Sequence, residues 1–563
     1  MTTTLGMASV FRFAASLALV AQGQAPATPG QPPMTQGQPP GGGGRGNAFN
    51  AVVDPREPTT FTNPVIPGFF SDPSVCRVGD DYYLVTSTFE YFPGVPVFHS
   101  QDLVNWELIG YAINRTTQLT KGLNIFATTI RHHDGTFYMI TTNTEAGGNF
   151  YVTATNPAGP WSDPVWIEAQ GIDPDLFFDD DGKTYVISST FELREIDLKT
   201  GTLVSEGRRL WNGTGGRYAE GPHIYKKDGF YYLMAAEGGT EEAHSETVAR
   251  SKSIWGPYNS NPANPILTHV NAAGQGNPIQ GVGHADIVNA YDASYWMVFH
   301  GYRTVGGGVH HVLGRETCLA PVTWPRNAWP VVNGNGTVTV NMTTPTLPLK
   351  PFPPRPARVD FDAETLGLEW NYIRMPVTAS YSLGARRGYL RLTGTEQTIE
   401  DWKTPTFVGR RLQDMYFTAT TQLEFDPVRP NEEAGMILLN NGSHFDLLIK
   451  QSNGKRVVVS RLRFGSVVHE SKEVLLRPGP VRLVIKGERS TFAFSYAQGA
   501  DPAVEMAKVD SKFLSSETVG GFTGAYLGFY GTGNGKASTA SADYDWFEYA
   551  KNEAPPQGAR GAR

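Results

Sequence analysis

The chain has 563 residues, which is more than one compact core supports, so two or three domains are predicted. Its formal net charge is −7 and no run of lysine and arginine occurs, which argues against nucleic acid or a membrane as a partner and favours a neutral or polar one. The two cysteines, Cys76 and Cys318, lie far apart beside apolar residues, which excludes a disulfide framework and a cysteine metal cluster and predicts two core residues.

The first 25 residues have the pattern of an export signal. Arg12 precedes the apolar run 13–21, which is too short to span a membrane and is followed by small residues near Ala25. The alternative is an ordinary buried segment, but the next tract, rich in Gln, Pro and Gly, offers little apolar surface for such a segment to pack against. The sequence therefore predicts a signal peptide over 1–25, a disordered linker over 26–58, and export to the periplasm or the extracellular space.

Five copies of a short pattern predict a propeller. Each copy has a turn containing aspartate, then one or two aromatic residues, then an apolar strand, and the turn aspartates are Asp80, Asp134, Asp181, Asp228 and Asp292. The turns are roughly 47 to 64 residues apart, which is the length of a four-stranded blade. Together with 62 glycines, 40 prolines and 12% aromatic residues, this spacing predicts an all-β fold with a five-bladed β-propeller over 59–351.

A proline-rich stretch at 347–358 predicts a linker to a second domain. Beyond it, short β-type runs recur without helices, at 415–425, 436–440, 456–462 and 481–486. These runs predict a β-sandwich over 357–550, and the tail at 551–563 is predicted to be disordered.

The repeat places three carboxyl groups at one position of the blade. Counting back about eight residues from the turn aspartate of three blades gives Asp72, Asp173 and Glu220. The same count in the other two blades gives Phe126 and His284. Because the innermost strands of a propeller surround a central channel, all five side chains are expected to face one pocket.

Three converging carboxyl groups, without a serine or cysteine nucleophile at that position, point to glycosidic bond cleavage rather than to acyl transfer. Each lies beside proline or glycine and close to apolar residues, so partial desolvation should separate their pKa values. An aspartate beside proline is by itself usually a turn former, and composition does not exclude Asp175, two residues after Asp173 on the same strand face. Asp179 to Asp181 form the turn and are expected to face solvent.

Four segments, three of which contain these carboxyl groups, carry a family resemblance. They are Asn-Pro-Val-Ile-Pro-Gly-Phe-Phe-Ser-Asp-Pro-Ser at 63–74, with Thr-Ser-Thr-Phe-Glu-Tyr-Phe-Pro-Gly-Val at 86–95; Ile-Asp-Pro at 172–174; and Tyr-Ala-Glu-Gly-Pro-His at 218–223. From residue 63 to about 550 the chain resembles the two-domain β-xylosidases and α-L-arabinofuranosidases of glycoside hydrolase family 43. The resemblance implies a five-bladed β-propeller followed by a concanavalin A-like β-sandwich. It also implies Asp72 as general base, Asp173 rather than Asp175 as the carboxylate that tunes the acid and orients substrate, and Glu220 as general acid.

The resemblance further implies an exo-acting enzyme that removes terminal β-D-xylosyl or α-L-arabinofuranosyl residues, or both, from hemicellulose oligosaccharides by inversion. In an inverting enzyme the acid and base carboxyls stand about 6.5 to 9.5 Å apart, which leaves room for a water molecule. No cofactor or metal is needed for this proton chemistry, and the expected partners are these oligosaccharides. Two alternatives stay open, an endo-acting arabinanase with an open groove and a secreted carbohydrate-binding propeller without activity, and the oligomeric state is undetermined.

Four of the predicted substrate-binding residues also follow from the resemblance. His284 resembles a family histidine that sometimes contacts a calcium ion or its water, and Arg315 resembles an arginine that reaches the catalytic carboxylates and the sugar. Phe89 resembles a wall residue of the sugar pocket, and Phe522 lies in a loop that relatives push toward the propeller. The alternatives are a hydrogen-bonded core histidine, an ion pair of Arg315 with Glu316 or another acid, and core positions for both phenylalanines.

Phe126 marks a departure from the family pattern. Many relatives have Trp-Ala-Pro in the second blade, whereas this chain has Phe-Ala-Thr-Thr-Ile-Arg at 126–131. The aromatic residue is retained while the proline is not, so the preference between the two sugars is not determined by the resemblance.

Overall fold

The computed structural model describes residues 56–271, 276–305 and 308–554. The predicted signal peptide, most of the linker at 26–58 and the tail from residue 555 onward lie outside the described residues. Within the described part of the chain, the helices are three short turns, Thr378–Ser380, Ser511–Leu514 and Ser516–Val519. None of these described helices is long and apolar enough to cross a membrane.

Five antiparallel sheets of four or five strands follow one another along the first part of the chain. Blade 1 comprises Ser74–Val78, Asp81–Val85, Gly94–Ser100 and Glu107–Ile113. Blade 2 comprises Ile125–His133, Thr136–Asn143, Gly148–Ala154 and Val165–Ile167. Blade 3 comprises Asp175–Phe178, Thr184–Ile187, Glu192–Asp197, Thr202–Leu203 and Arg208–Arg209.

Two further sheets complete the propeller. Blade 4 comprises Glu220–Lys227, Phe230–Glu237, Ser245–Ser251, Asn259–Ser260 and Leu267–Thr268. Blade 5 comprises Ile279–Asn289, Tyr295–Arg303, Glu316–Thr323 and Val331–Val332. The flanking strands Thr59–Thr62 and Asn341–Thr344 pair with each other and tie the two ends of this region together.

The first strands of the five blades form a closed ring. Each contacts the first strand of the next blade, and the first strand of blade 5 contacts that of blade 1. Each predicted turn lies between the first and second strands of its blade, so the five-bladed architecture expected from the repeat is confirmed. Residues at the start of the first strands therefore surround one central channel.

One expectation about the turns is wrong. Asp179 does not face solvent but is buried, because Lys226 of the next blade contacts its carboxylate and the hydroxyl of Tyr231 donates to it at 2.7 Å. Asp180 and Asp181 are exposed as expected. The two cysteines are free and buried, as their apolar neighbours predicted.

Two packed sheets form the second domain. One sheet comprises Arg358–Val359, Tyr381–Ser382, Leu390–Thr393, Phe417–Glu424, Val481–Glu488, Thr491–Ala497, Val504–Asp510 and Ser541–Lys551. The other comprises Thr406–Arg411, Glu433–Asn440, Ser443–Ser452, Lys455–Phe464, Val467–Glu470, Val474–Leu475 and Tyr526–Thr532. Alternate residues of the strands that face each other pack into one apolar core, which is the arrangement expected of a β-sandwich.

A small inter-domain sheet and an aromatic cluster dock the sandwich on the propeller. Tyr91–Phe92, from a loop of blade 1, pairs antiparallel with Tyr372–Ile373 of the sandwich. The ring of Tyr91 stacks on that of Tyr526, with centroids 3.7 Å apart. Phe89 belongs to the same buried cluster, so the docking contact reaches the residues expected to line the sugar pocket.

Candidate active site

Asp72 lies just before the first strand of blade 1 and is held by several donors. Arg315 Nη1 donates to its Oδ1 at 2.6 Å, while the hydroxyls of Ser87 and Ser71 donate to Oδ2 at 2.6 and 3.0 Å. Its backbone is left-handed, with φ 55°, a conformation that costs an L-residue free energy and that the surrounding contacts impose. Burial raises the pKa of Asp72, but the charge of Arg315, the largest opposing effect, helps to hold the pKa well below its usual range. Asp72 is therefore an ionised and oriented carboxylate.

Glu220 is the first residue of the inner strand of blade 4, and its side chain is 17% exposed. Burial, followed by the negative charge of Asp72, raises the pKa of Glu220 to about 7. The next residue, Gly221, has φ 55°, and a Cβ there would lie 2.9 Å from Nε2 of His284. Glycine at this position therefore lets the strand approach His284 closely. The carboxyl group of Glu220, which precedes it on the strand, is protonated below neutral pH.

Asp173 occupies the matching place in blade 3, with φ 55° and 5% exposure. Burial, and then the charges of Glu220 and Asp72, raise the pKa of Asp173 well above its usual range. Its Oδ2 has no hydrogen-bond partner within the described protein. Asp173 and Glu220 repel each other when both are charged, so each is protonated more readily while the other is ionised.

His284 lies between the carboxyl groups of blades 1 and 4. Its Nδ1 is 3.7 Å from Oδ1 of Asp72 and 4.0 Å from Oε1 of Glu220. The distance between these two carboxyl oxygens is therefore at most the sum of the two, 7.7 Å. That upper bound is short enough for both carboxyl groups to reach one sugar ring. Burial lowers the pKa of His284 to about 3, so its ring is neutral, and Nδ1 has no hydrogen-bond partner among the described atoms.

Three phenylalanines form an aromatic wall beside the carboxyl groups. The ring centroid of Phe89 is 5.0 Å from that of Phe126 and 5.6 Å from that of Phe522, which stacks on it. The guanidinium carbon of Arg315 lies 5.8 Å from the ring centroid of Phe89 and 5.9 Å from that of Phe522. Phe522 is 45% exposed, so the sandwich contributes an accessible ring to the wall rather than a core residue.

Close backbone contact holds the loop that carries Phe522 in place. The backbone N–H of Ala525 donates to the carbonyl of Val312 at 2.8 Å, two residues before Gly314. A Cβ at Gly524 would lie 2.3 Å from the carbonyl oxygen of Leu313, so the position needs glycine. This contact joins the sandwich loop to the blade 5 segment that carries Arg315.

Comparison with known proteins supports the family resemblance. Residues 61–330 match the model of glycosyl hydrolases family 43, and residues 358–550 match that of the beta xylosidase C-terminal concanavalin A-like domain. The chain is 46% identical over 505 residues to the non-reducing end alpha-L-arabinofuranosidase BoGH43B of Bacteroides ovatus, covering 87% of this chain and 94% of that protein. The chain belongs to glycosyl hydrolase family 43.

Further members of family 43 are similar over nearly their whole length. A xylosidase/arabinosidase of Butyrivibrio fibrisolvens is 38% identical over 515 residues, covering 86% of this chain and 98% of that protein. A solved structure titled Bacteroides ovatus Xyloglucan PUL GH43B superposes with a TM-score of 0.84 at 44% identity, covering 88% of this chain and all of that one. The family-model match over residues 358–550 confirms the concanavalin A-like nature of the second domain.

In this family 43 protein, Asp175 is committed to a structural network. Arg131 binds its carboxylate through Nε and Nη2, each at 3.0 Å, and His223 Nδ1 lies 3.1 Å from Oδ2. Arg131 also donates to Asp286 at 2.7 Å, which makes the network continuous between blades 2, 3, 4 and 5. Oδ1 of Asp175 and Oδ2 of Asp173 both lack a hydrogen-bond partner among the described atoms, but Asp175 is held in the ion pair with Arg131, which leaves Asp173 as the carboxyl group of blade 3 that is available to a ligand.

The alternative for Arg315 was an ion pair with Glu316 or another acid, and Arg315 does form an ion pair, with Asp72 rather than with Glu316. Glu316 accepts from Nε and Nη2 of Arg303, both at 2.7 Å, whereas Arg315 binds Asp72. Glu316 and Asp72 thus bind different arginines. The guanidinium of Arg315 lies between the carboxylate of Asp72 and the aromatic wall.

Sequence reasoning missed a histidine pair behind Asp72. Nδ1 of His300 lies 3.0 Å from Oδ1 of Asp72, and Nε2 of His300 lies 3.2 Å from Nδ1 of His244. Both histidines are fully buried. His300 belongs to the second strand of blade 5, outside the position that the repeat singled out, and its place directly after the apolar run 297–299 was the available signal.

The side chains near His284 offer few of the oxygen ligands that calcium prefers. Asp72, His284 and His300 bring one possible ligand atom each within 4.8 Å of one another, the one such group among the described residues. Calcium takes six to eight oxygen ligands, whereas this group has one carboxylate and two imidazoles. The carboxylate is also occupied by the guanidinium of Arg315, whose positive charge opposes a cation there. No step of the mechanism below therefore involves a metal ion.

Proposed function

We propose that this family 43 enzyme removes terminal β-D-xylosyl and α-L-arabinofuranosyl residues from hemicellulose oligosaccharides by single-displacement inversion. The observation that carries the proposal is a pair of carboxyl groups, those of Asp72 and Glu220, that lie 3.7 and 4.0 Å from one nitrogen of His284. Asp72 is ionised and Glu220 has a pKa of about 7, as base and acid roles require.

The proposed reaction uses one water molecule and one proton transfer at each carboxyl group. Asp72 accepts a proton from water as the water oxygen bonds to the anomeric carbon. Glu220 donates its proton to the glycosidic oxygen as the bond between that oxygen and the anomeric carbon breaks. Asp173 lies beside Glu220 with a free oxygen that can accept a sugar hydroxyl, and Arg315 orients Asp72.

The surroundings support a terminal sugar and both pentoses. Phe89, Phe126 and Phe522 enclose one side of the site, which favours a closed pocket over the open groove of an endo-acting arabinanase. Relatives named as an arabinofuranosidase and as a xylosidase/arabinosidase support activity on both sugars. A binding protein without activity has no need for an acid of raised pKa opposite a base of lowered pKa.

The test compares nitrophenyl β-D-xyloside and nitrophenyl α-L-arabinofuranoside side by side, with product analysis on matching oligosaccharides. We expect hydrolysis of at least one aryl glycoside, release of monosaccharide alone, and a first product of inverted anomeric configuration by NMR. Failure to hydrolyse either glycoside would favour the binding protein, and products of two or more units would favour endo action.

The rate of hydrolysis is expected to fall with rising pH around the pKa of Glu220. The raised pKa of about 7 keeps the acid protonated below neutral pH and ionises it above, so kcat/KM should fall through pH 7. Because the pKa of Asp72 is well below its usual range, the base stays ionised, and no matching loss is expected down to about pH 4. A pH profile measured on an oligosaccharide checks this, with melting temperatures at each pH as the control. An alkaline limb centred near pH 5 would contradict the assignment.

A further inference from the structure

One buried carboxylate of blade 4 takes no part in the proposed reaction. Glu237 is the last residue of the second strand of that blade and is 2% exposed. Its Oε1 accepts from the backbone N–H of Thr214 at 2.6 Å, and its Oε2 accepts from the backbone N–H of Gly216 at 2.7 Å and from the hydroxyl of Thr214 at 2.9 Å. The hydroxyl of Thr247, on the third strand, lies 3.1 Å from Oε1. This one side chain thus supplies the acceptors for two neighbouring N–H groups of an irregular loop.

The loop that Glu237 binds, residues 213–219, leads directly into Glu220. It lies between the last strand of blade 3 and the strand that begins at Glu220, and its residues 214–218 are exposed. An exposed loop has little apolar packing to fix its conformation. The backbone N–H of Gly238, next to Glu237, also donates to the carbonyl of Arg217 at 2.8 Å. Hydrogen bonds from the end of one strand therefore hold the loop at residues 214, 216 and 217.

The backbone on both sides of Glu220 is left-handed, with φ 51° at Tyr218 and φ 55° at Gly221. This conformation costs an aromatic residue free energy and persists only where the surrounding structure imposes it. The side chain of Tyr218 is 66% exposed, so its own packing does not impose the strained backbone. The fixed contacts are those of the preceding residues, and Glu220 then pairs with Ala236, which directly precedes Glu237.

We propose that Glu237 is a positioning residue for the general acid, because its carboxylate holds loop 213–219 in the conformation that directs Glu220 into the channel. The inference rests on the proposed function, since Glu220 is the acid of that reaction. Proton transfer requires the donor within hydrogen-bond reach of the glycosidic oxygen, and small displacements of a reacting group lower the rate strongly. A purely structural Glu237 would stabilise blade 4 without favouring one class of substrate.

The experiment compares Glu237→Gln with the native enzyme on the better nitrophenyl glycoside and on the matching oligosaccharide. Glutamine keeps the length of the side chain, but its amide N–H₂ group cannot accept from the loop. We expect kcat/KM on the oligosaccharide to fall about tenfold, mainly through kcat, because the acid is displaced. The nitrophenyl glycoside, whose leaving group needs no proton, should change less than about twofold. The alkaline limb should move to lower pH, because a looser loop weakens the burial that raises the pKa of Glu220.

Two further variants separate the loop contact from the charge of Glu237. Glu237→Asp keeps the negative charge but withdraws the carboxylate by one methylene, so it should show the same selective loss. Thr214→Val removes one hydroxyl donor and should lose about threefold on the oligosaccharide alone. The double variant of Thr214→Val and Glu237→Gln should lose little more than Glu237→Gln, because both changes break one contact. Since Thr214 is exposed, Thr214→Val decides the question if Glu237→Gln does not fold.

Glu432→Gln is the matched control. Glu432 is fully buried in the sandwich, and its carboxylate also accepts from loop N–H groups, those of Val428 at 2.7 Å and Thr539 at 2.6 Å. Its replacement should lower the melting temperature about as much as Glu237→Gln does and leave the ratio of the two rates unchanged.

Two results would overturn the inference alone: an equal loss of Glu237→Gln on both substrates, or native rates on both. In either case the native enzyme remains a glycoside hydrolase with Glu220 as its acid. A native enzyme that hydrolyses neither aryl glycoside overturns the proposed function, and this inference with it.

Discussion

We expect the Glu220→Gln variant to hydrolyse oligosaccharides about 10³-fold more slowly than the native enzyme, the contribution typical of a general acid. Glutamine keeps the shape of the side chain but cannot donate the proton that a sugar leaving group requires. A nitrophenolate leaves without that proton, so hydrolysis of the nitrophenyl glycoside should fall only about tenfold. The ratio of the two losses is the measurement, obtained from kcat/KM for both substrates.

The variant Glu241→Gln provides the control for Glu220. Glu241 is exposed, pairs with Arg217 and adds only a minor negative charge near Glu220, so its replacement should change both rates less than twofold. The alkaline limb of the pH profile should also disappear in Glu220→Gln. Equal losses on both substrates would count against Glu220 as the proton donor.

The Asp72→Asn variant should lose about 10³-fold on both classes of substrate, since the attacking water needs the base whatever the leaving group. Azide, an anion that needs no deprotonation, should restore part of the rate on the nitrophenyl glycoside and yield a glycosyl azide of inverted configuration. These outcomes separate the base from the acid, because Glu220→Gln should lose far less on the aryl substrate. The measurements are kcat/KM with and without azide and the anomeric configuration by NMR.

Removing the charge of Asp72 also leaves buried Arg315 without its carboxylate partner. We therefore expect a lower melting temperature for Asp72→Asn, since an uncompensated buried charge costs several kcal/mol. Asp80→Asn changes an exposed aspartate of the same blade and should leave both activity and melting unchanged. A folded Asp72→Asn protein that retains more than a tenth of the native activity would refute the base assignment.

The repeat predicted the propeller because its signals are local. The turn aspartates are spaced by the length of a blade, and each lies between the first two strands of its own blade. The sequence did not reveal that Asp179 is buried, because its partners Lys226 and Tyr231 come from the next blade. The residues of a turn predict that the chain reverses direction there. Whether the turn is buried depends on the residues of other strands that pack against it.

The candidate site was predictable only in part. Asp72, Asp173 and Glu220 were found from their common position in the blade, and His284 does lie beside two of them. The pair His300 and His244 was missed, because neither occupies that position. Phe126 lies with Phe89 and Phe522 in the aromatic wall, a grouping that depends on how the sandwich docks.

By itself, the sequence determined the number of blades, the β-rich second domain and the three carboxyl groups, since turn chemistry and strand periodicity act over a few residues. Only the tertiary structure decided how those carboxyl groups differ. Arg315, which is 243 residues after Asp72, lowers the pKa of that aspartate, while burial and Asp72 raise the pKa of Glu220. Charge interactions and desolvation depend on distance in space and on burial, and folding sets both.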